Sequence, residues 1–157
     1  MGIIVSSFPG CGREYLKNTH GNKVKIIDFI PEQDKEIDAT EFVNNVMNKV
    51  GEYDIVFIGI NKEIREELES RNIDYDIFYP AKERRGEFIE NFVRKREKPA
   101  VIRNLDKNFD KWVDEIDSDE STNCYKHFLK NNGEFIGTNS SIMQYITSLQ
   151  ENSQKNE

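Results

Sequence analysis

The chain alternates short, continuous apolar runs with longer segments in which apolar residues recur every three or four positions. The short runs are Gly2 to Ser6 (GIIVS), Lys23 to Phe29 (KVKIIDF), Tyr53 to Ile60 (YDIVFIGI), Tyr75 to Tyr79 (YDIFY, closed by Pro80) and Asn123 to Leu129. Each reads as a strand, and the third, being the most continuous, predicts a central strand buried on both faces. Helical spacing fills the intervals. One helix is expected from near Gly12 to just before Gly21. In the next, Thr40 reads as the N-cap of Phe42, Val43, Val46, Met47 and Val50, with Gly51 as the stop. A charged helix follows over Asn61 to Arg71, with Asn61 as its cap. Residues 82 to 97 carry Phe88, Ile89, Phe92 and Val93 on one stripe. After Pro99 a second stripe runs through Ile102, Leu105, Phe109, Trp112, Val113 and Ile116. Asn132-Gly133 reads as a turn and Ser140 to Leu149 as the last helix. Residues 31 to 38 and the acidic stretch Asp114 to Glu120 read as polar loop and turn, and residues 150–157 as a disordered tail.

Strands alternating with helices predict right-handed βαβ units: an α/β fold with a parallel sheet between two helical layers. Ligands of such sheets bind beyond the C-terminal strand ends. The loop after the first strand, Asp28 and the Gly59–Asn61 turn all fall on that edge.

Length and charge narrow the picture. At 157 residues the chain is expected to be one domain, residues 1–149, with a real core. No run approaches the ~18 apolar residues of a membrane span, and no basic stretch followed by a long apolar one marks a secretory signal. Cys11 and Cys124 form neither a disulfide framework nor a zinc motif, so a reducing cytoplasm is the expected compartment. Net charge is −7, unevenly spread: Lys82 to Arg103 holds eight Lys/Arg against four Asp/Glu, a local +4 in an otherwise acidic chain. An acidic protein is a poor partner for nucleic acid. A basic island inside it suits a compact anion such as a nucleotide, or serves only as a solvated face of i,i+4 ion pairs.

The chemistry concentrates in residues 3 to 16, IIVSSFPGCGREYL. An apolar run, a Gly/Pro turn and a helix start form the layout of a phosphate-binding loop, whose backbone N–H groups wrap a phosphate chain. Aligned on G-x-x-x-x-G-K-[ST], Ser7 replaces the first Gly and Gly12 matches the second. Arg13 replaces the lysine, and Glu14 replaces the hydroxyl residue that would hold Mg²⁺. Ser7, Pro9, Gly10, Cys11, Gly12, Arg13 and Glu14 are therefore the candidate phosphate-binding residues, with Asp28 as a contact for an acceptor.

The ordered set SSFPGCG, Asp28, YDIVFIGINKEIREELESRNIDYDIFYP and the helix pair ENFVRKRE…NLDKNFDKWV resembles the P-loop nucleoside and deoxynucleoside monophosphate kinases, particularly the small adenylate-kinase-like proteins of phages and bacteria. The resemblance covers most of residues 1 to 116. It implies a three-layer P-loop NTPase fold with about five strands in the order 2-3-1-4-5, and a basic lid-like helical segment at about residues 82–104. It also implies ATP and Mg²⁺ as cofactors of an active member, with Arg94, Arg96 and Arg103 over the phosphates and Arg84 and Arg85 as helpers. Phosphoryl transfer in that family is nearly all positioning and charge neutralisation.

The two altered side chains weigh against transfer. Guanidinium is planar and bulky and does not substitute freely for ammonium. Near a helix N-terminus a carboxylate stabilises the protein by roughly 0.3–1 kcal/mol. At ~4 Å from a phosphate oxygen it repels by ~4 kcal/mol at an effective dielectric near 20. The repulsion is larger. The expectation is a degenerate loop, a pseudoenzyme that binds a nucleotide-like anion or a protein partner as a sensor, sponge or phage-type inhibitor. The competing expectation is an active monophosphate kinase using Arg13, Arg94 and Arg96. His20 and His127 read as isolated, Cys11 as a loop filler, Trp112 as core, and Ser6 and Ser7 as turn residues.

Overall fold

The computed structural model describes residues 2–31 and 36–155, the last of these, 153–155, by backbone alone. Half of the polar loop expected at 31 to 38, residues 32–35, and the end of the expected tail lie outside the described residues. The elements run β1 (Ile3–Ser7), α1 (Arg13–His20), β2 (Ile26–Asp28), α2 (Ala39–Val50), β3 (Ile55–Ile58), α3 (Lys62–Ser70), β4 (Tyr75–Pro80), α4 (Arg85–Arg94), α5 (Pro99–Asp117), β5 (Cys124–Leu129) and α6 (Ser140–Lys155). Short 3₁₀ turns occupy Lys82–Arg84 and Ile136–Thr138.

The five strands form one sheet in the order β2-β3-β1-β4-β5, with every pairing parallel. This is the order implied by the resemblance. Successive residues of a strand point to opposite faces, and all four residues of β3 are buried. Both faces of the sheet centre are therefore covered. α2 packs on α3, α4 packs on α5, and α1 and α6 meet at the Ile136–Thr138 turn. Among the described residues, no helix is long and apolar enough to cross a membrane.

Several boundaries differ from the sequence pattern for local reasons. Asp38, not Thr40, caps α2, its carboxylate accepting from the Glu41 N–H at 3.2 Å. Asn61 precedes α3, but its side chain makes no capping bond. Pro80 belongs to β4 instead of ending it. Ala81 donates to Leu129 on the β5 side, so the N–H that Pro80 lacks would face β1, whose pairing stops at Phe78. The helix expected over 82 to 97 is a 3₁₀ turn followed by α4. That helix ends in a Schellman pattern, Glu97 N–H to Phe92 O and Arg96 N–H to Val93 O. The last helix continues to Lys155, past the Leu149 end and into the expected tail.

Candidate functional site

The loop after β1 is held from both sides. Ser6 donates its hydroxyl to the Gly59 carbonyl at 2.8 Å, tying the ends of β1 and β3 together. Phe8 is fully buried; its N–H donates to Phe78 O at 3.1 Å. Its ring meets Phe109, Phe88 and Trp112 edge-on, with centroids 5.0, 6.1 and 6.1 Å away. On the far side, Ile136 donates to Cys11 O at 2.9 Å. Between these anchors Gly10 and Gly12 take left-handed conformations, with φ of 88° and 96°. Handedness and room both require glycine here. A Cβ on Gly10 would stand 2.9 Å from the Phe92 ring, and one on Gly12 would stand 3.2 Å from Phe135 Cβ. The backbone thus curls from the strand into α1, whose N-cap is Gly12.

Cys11 contributes packing. Its side chain is buried and faces the Phe78 carbonyl at 3.8 Å, and burial pushes the thiol far above its ordinary range despite the nearby Arg84 charge. Its N–H already donates to Phe8 O at 3.1 Å, which leaves that amide committed to the turn. Ser7 keeps to the turn as well, its hydroxyl donating to Phe8 O at 3.3 Å.

Arg13 and Asp28 face each other. The Arg13 Nε lies 3.3 Å from Asp28 Oδ1 without the alignment of a hydrogen bond, and Lys17, one turn along α1, donates to Oδ2 at 2.7 Å. The end of β2 therefore holds two cations of α1. Glu14 lies exposed at the mouth of a cavity of ≈ 210 Å³ between the loop and the α4–α5 turn, lined also by Pro9, Arg13, Phe92, Lys95, Glu97 and Trp112. A second, more apolar cavity of ≈ 370 Å³ lies across the loop, against Tyr15, Phe135 and Thr138. Lys95 lines both.

The basic residues of the lid segment are dispersed. Arg94 is exposed and reaches Glu90 at 3.3 Å. Arg96 occupies the left-handed position after α4, with φ 59°. Arg103 is exposed on α5. None of the three lines the ≈ 210 Å³ cavity; Lys95 and Glu97, their sequence neighbours, do. Arg85 lies 3.8 and 3.9 Å from Asp106 and Asp110. Arg84 is buried, with Glu87 bound to it through both oxygens at 2.8 and 2.9 Å. It also donates to the Leu129 and Glu134 carbonyls at 3.0 and 2.8 Å. His127, expected to be alone, has a partner: its Nε2 is 2.7 Å from Asp76 Oδ1, and its ring stacks on Phe78. Trp112, expected in the core, is only partly buried and reaches the cavity.

Sequence reasoning thus missed Lys95, Glu97, Asn104 and Trp112 as cavity residues. The signal was the RKRE run itself. Which of its residues turn inward depends on where α4 unwinds.

The side chains of the loop differ from the aligned G-x-x-x-x-G-K-[ST] pattern in their contacts as well as their identity. Arg13 is drawn to Asp28, and a carboxylate, Glu14, stands where the aligned motif has a hydroxyl. Among the described residues, no group of three or more His, Cys, Asp and Glu is placed to hold a metal ion.

No family model and no curated protein matches the sequence. Among solved structures, a gluconokinase from Sinorhizobium meliloti 1021 superposes with a TM-score of 0.50 at 10% identity, over 99% of this chain and 97% of that one. An uncharacterized protein from Eubacterium ventriosum ATCC 27560 superposes with a TM-score of 0.46 at 17% identity, over 94% of this chain and 99% of that one. What this chain has in common with the gluconokinase is the P-loop kinase-like α/β fold, spanning nearly the whole of both molecules.

Proposed function

We propose that this protein binds a compact, nucleotide-like anion on its loop and that phosphoryl transfer has been lost or strongly weakened. One observation carries the reading. The backbone turn of a phosphate loop is kept, while Arg13 rests on Asp28 and Glu14 stands at the cavity mouth. Amides at a helix start attract an anion, but the two side chains that would neutralise and transfer a γ-phosphate are engaged or replaced. Such a protein acts by binding, as a sensor or sponge of its ligand, or as an inhibitor through a protein partner that reads the loaded state.

The test is to mix purified protein with ATP, Mg²⁺ and each nucleoside monophosphate and to follow ADP, with calorimetry of nucleotide binding alongside. Binding without turnover is the expected result. Robust turnover that disappears in Arg13→Ala would establish an active monophosphate kinase instead. The double variant Arg13→Lys/Glu14→Thr is expected to raise ATP affinity; no change would mean that the loop is not a nucleotide site.

A further inference from the structure

We infer that the outer edge of β5 pairs with β5 of a second copy of this chain, antiparallel and across a two-fold axis. The pairing joins two five-stranded sheets into one continuous sheet. It involves neither the loop after β1 nor a ligand.

The strand register fixes which backbone groups of β5 point outward. β5 is an outer strand, paired in parallel with β4 from Cys124 to Leu129 without interruption. Tyr75 donates to Asn123 O at 3.0 Å, and Ala81 donates to Leu129 O at 3.3 Å. Asn123 and Leu129 therefore face β4 and, with a period of two, so do Tyr125 and His127. Phe78 fits the same alternation, since its carbonyl accepts from Phe8 on the β1 side. Lys126 and Phe128 thus turn their N–H and C=O groups away from the sheet. Among the described residues, no other segment of the chain bonds these four groups. Such an edge is a template for a further strand.

The usual guards of an edge are absent from β5 or turned aside. β2, the other outer strand, is three residues long, whereas β5 is six and holds no proline. Lys126, the charge that would repel a neighbour, sends its ammonium to the Asp117 carbonyl at 2.9 Å, toward the end of α5. Tyr125 and Phe128 are 53% and 48% exposed and stand on opposite faces of the sheet. Phe128 rests on Tyr79 with ring centroids 5.3 Å apart, and His127 is held by Asp76 at 2.7 Å. The strand is preformed, so pairing costs little further ordering. The charges at its two ends select the partner. Asp119 takes Arg65, while Glu120, before the turn into β5, and Lys130, directly after the strand, are exposed and form no ion pair among the described residues. Antiparallel pairing carries each Lys130 toward the acidic end of the other strand. Parallel pairing would set Lys130 beside Lys130. A two-fold axis normal to the sheet gives the antiparallel case, so symmetry and charge agree.

Sedimentation velocity of the purified full chain over a dilution series measures its mass. A dimer is expected at about 100 µM, dissociating on dilution. Phe128→Lys is expected to weaken it at least about tenfold, because each cross-strand neighbour counts twice across the axis. Lys126→Pro removes an outward N–H while leaving the β4 ladder intact, and is expected to abolish the dimer. Amide exchange of the wild type keeps the test independent of how the variants fold. The Lys126 and Phe128 N–H groups are expected to be protected in the concentrated sample and to exchange freely on dilution. Equal exchange at both concentrations overturns the inference. A monomer at about 100 µM also overturns it, and leaves the edge to a strand of another protein. A dimer that both folded variants keep at full strength places the contact elsewhere and overturns it equally.

Discussion

Arg84 and Arg13 flank the same loop and are held in opposite ways. Arg84 is 1% exposed and fully engaged, with two oxygens of Glu87, two backbone carbonyls and the faces of Phe88 and Phe135, each ring centroid 5.1 Å away. Arg13 is about a third exposed at its side chain and faces one carboxylate it must divide with Lys17. One is a structural cation that joins the root of α4 to the loop after β5. The other is a surface cation held by Asp28 beside a cavity. Positive charge near the glycine-rich loop is therefore no guide to function until its partners are known.

The largest effect is expected from Arg84→Ala. Removing one partner of a buried pair leaves Glu87 and two carbonyls uncompensated, a loss of about 3–5 kcal/mol, measured by urea unfolding. A loss below about 1 kcal/mol would place Arg84 with Arg13. Gly12→Ala comes next. Its φ of 96° and the close Phe135 Cβ predict a loss of about 1–3 kcal/mol in the same assay, with weaker anion binding.

Acid sharpens the contrast further. The Arg84 hydrogen bonds hold the Glu87 carboxyl below its ordinary value near 4.5, against desolvation and with help from the Gly133 N–H. A group whose folded value is lowered contributes stability that is complete above the unfolded value. That contribution is lost as pH falls through the folded one, so the acid limb below about pH 4.5 is expected to flatten in Glu87→Gln. The smallest effect is expected from Arg13→Ala, within about 1 kcal/mol and reduced by salt, as for exposed ion pairs. A larger loss would mean that the Arg13–Asp28 contact is structural.

Much of the fold was legible because its signals are local. The apolar runs of β1, β3 and β4 and the periodic stripes of α2 and α5 report burial directly, and glycines mark the loop turn. The site was less legible. RKRE reads as a uniform basic run, yet Arg96 takes a left-handed backbone and only Lys95 and Glu97 reach the cavity. Arg84 reads as a helper to the lid arginines because nothing nearby in sequence announces Leu129 and Glu134 as its partners. His127 likewise found Asp76 through strand pairing, across 51 residues of chain.

By itself the sequence determined the succession of elements and the glycine-bearing turn after β1, because covalent order and hydrophobic period act over a few residues. Which charges meet was decided only by the tertiary structure. Contacts such as Arg13 with Asp28 and His127 with Asp76 depend on distances between elements that only the assembled sheet sets.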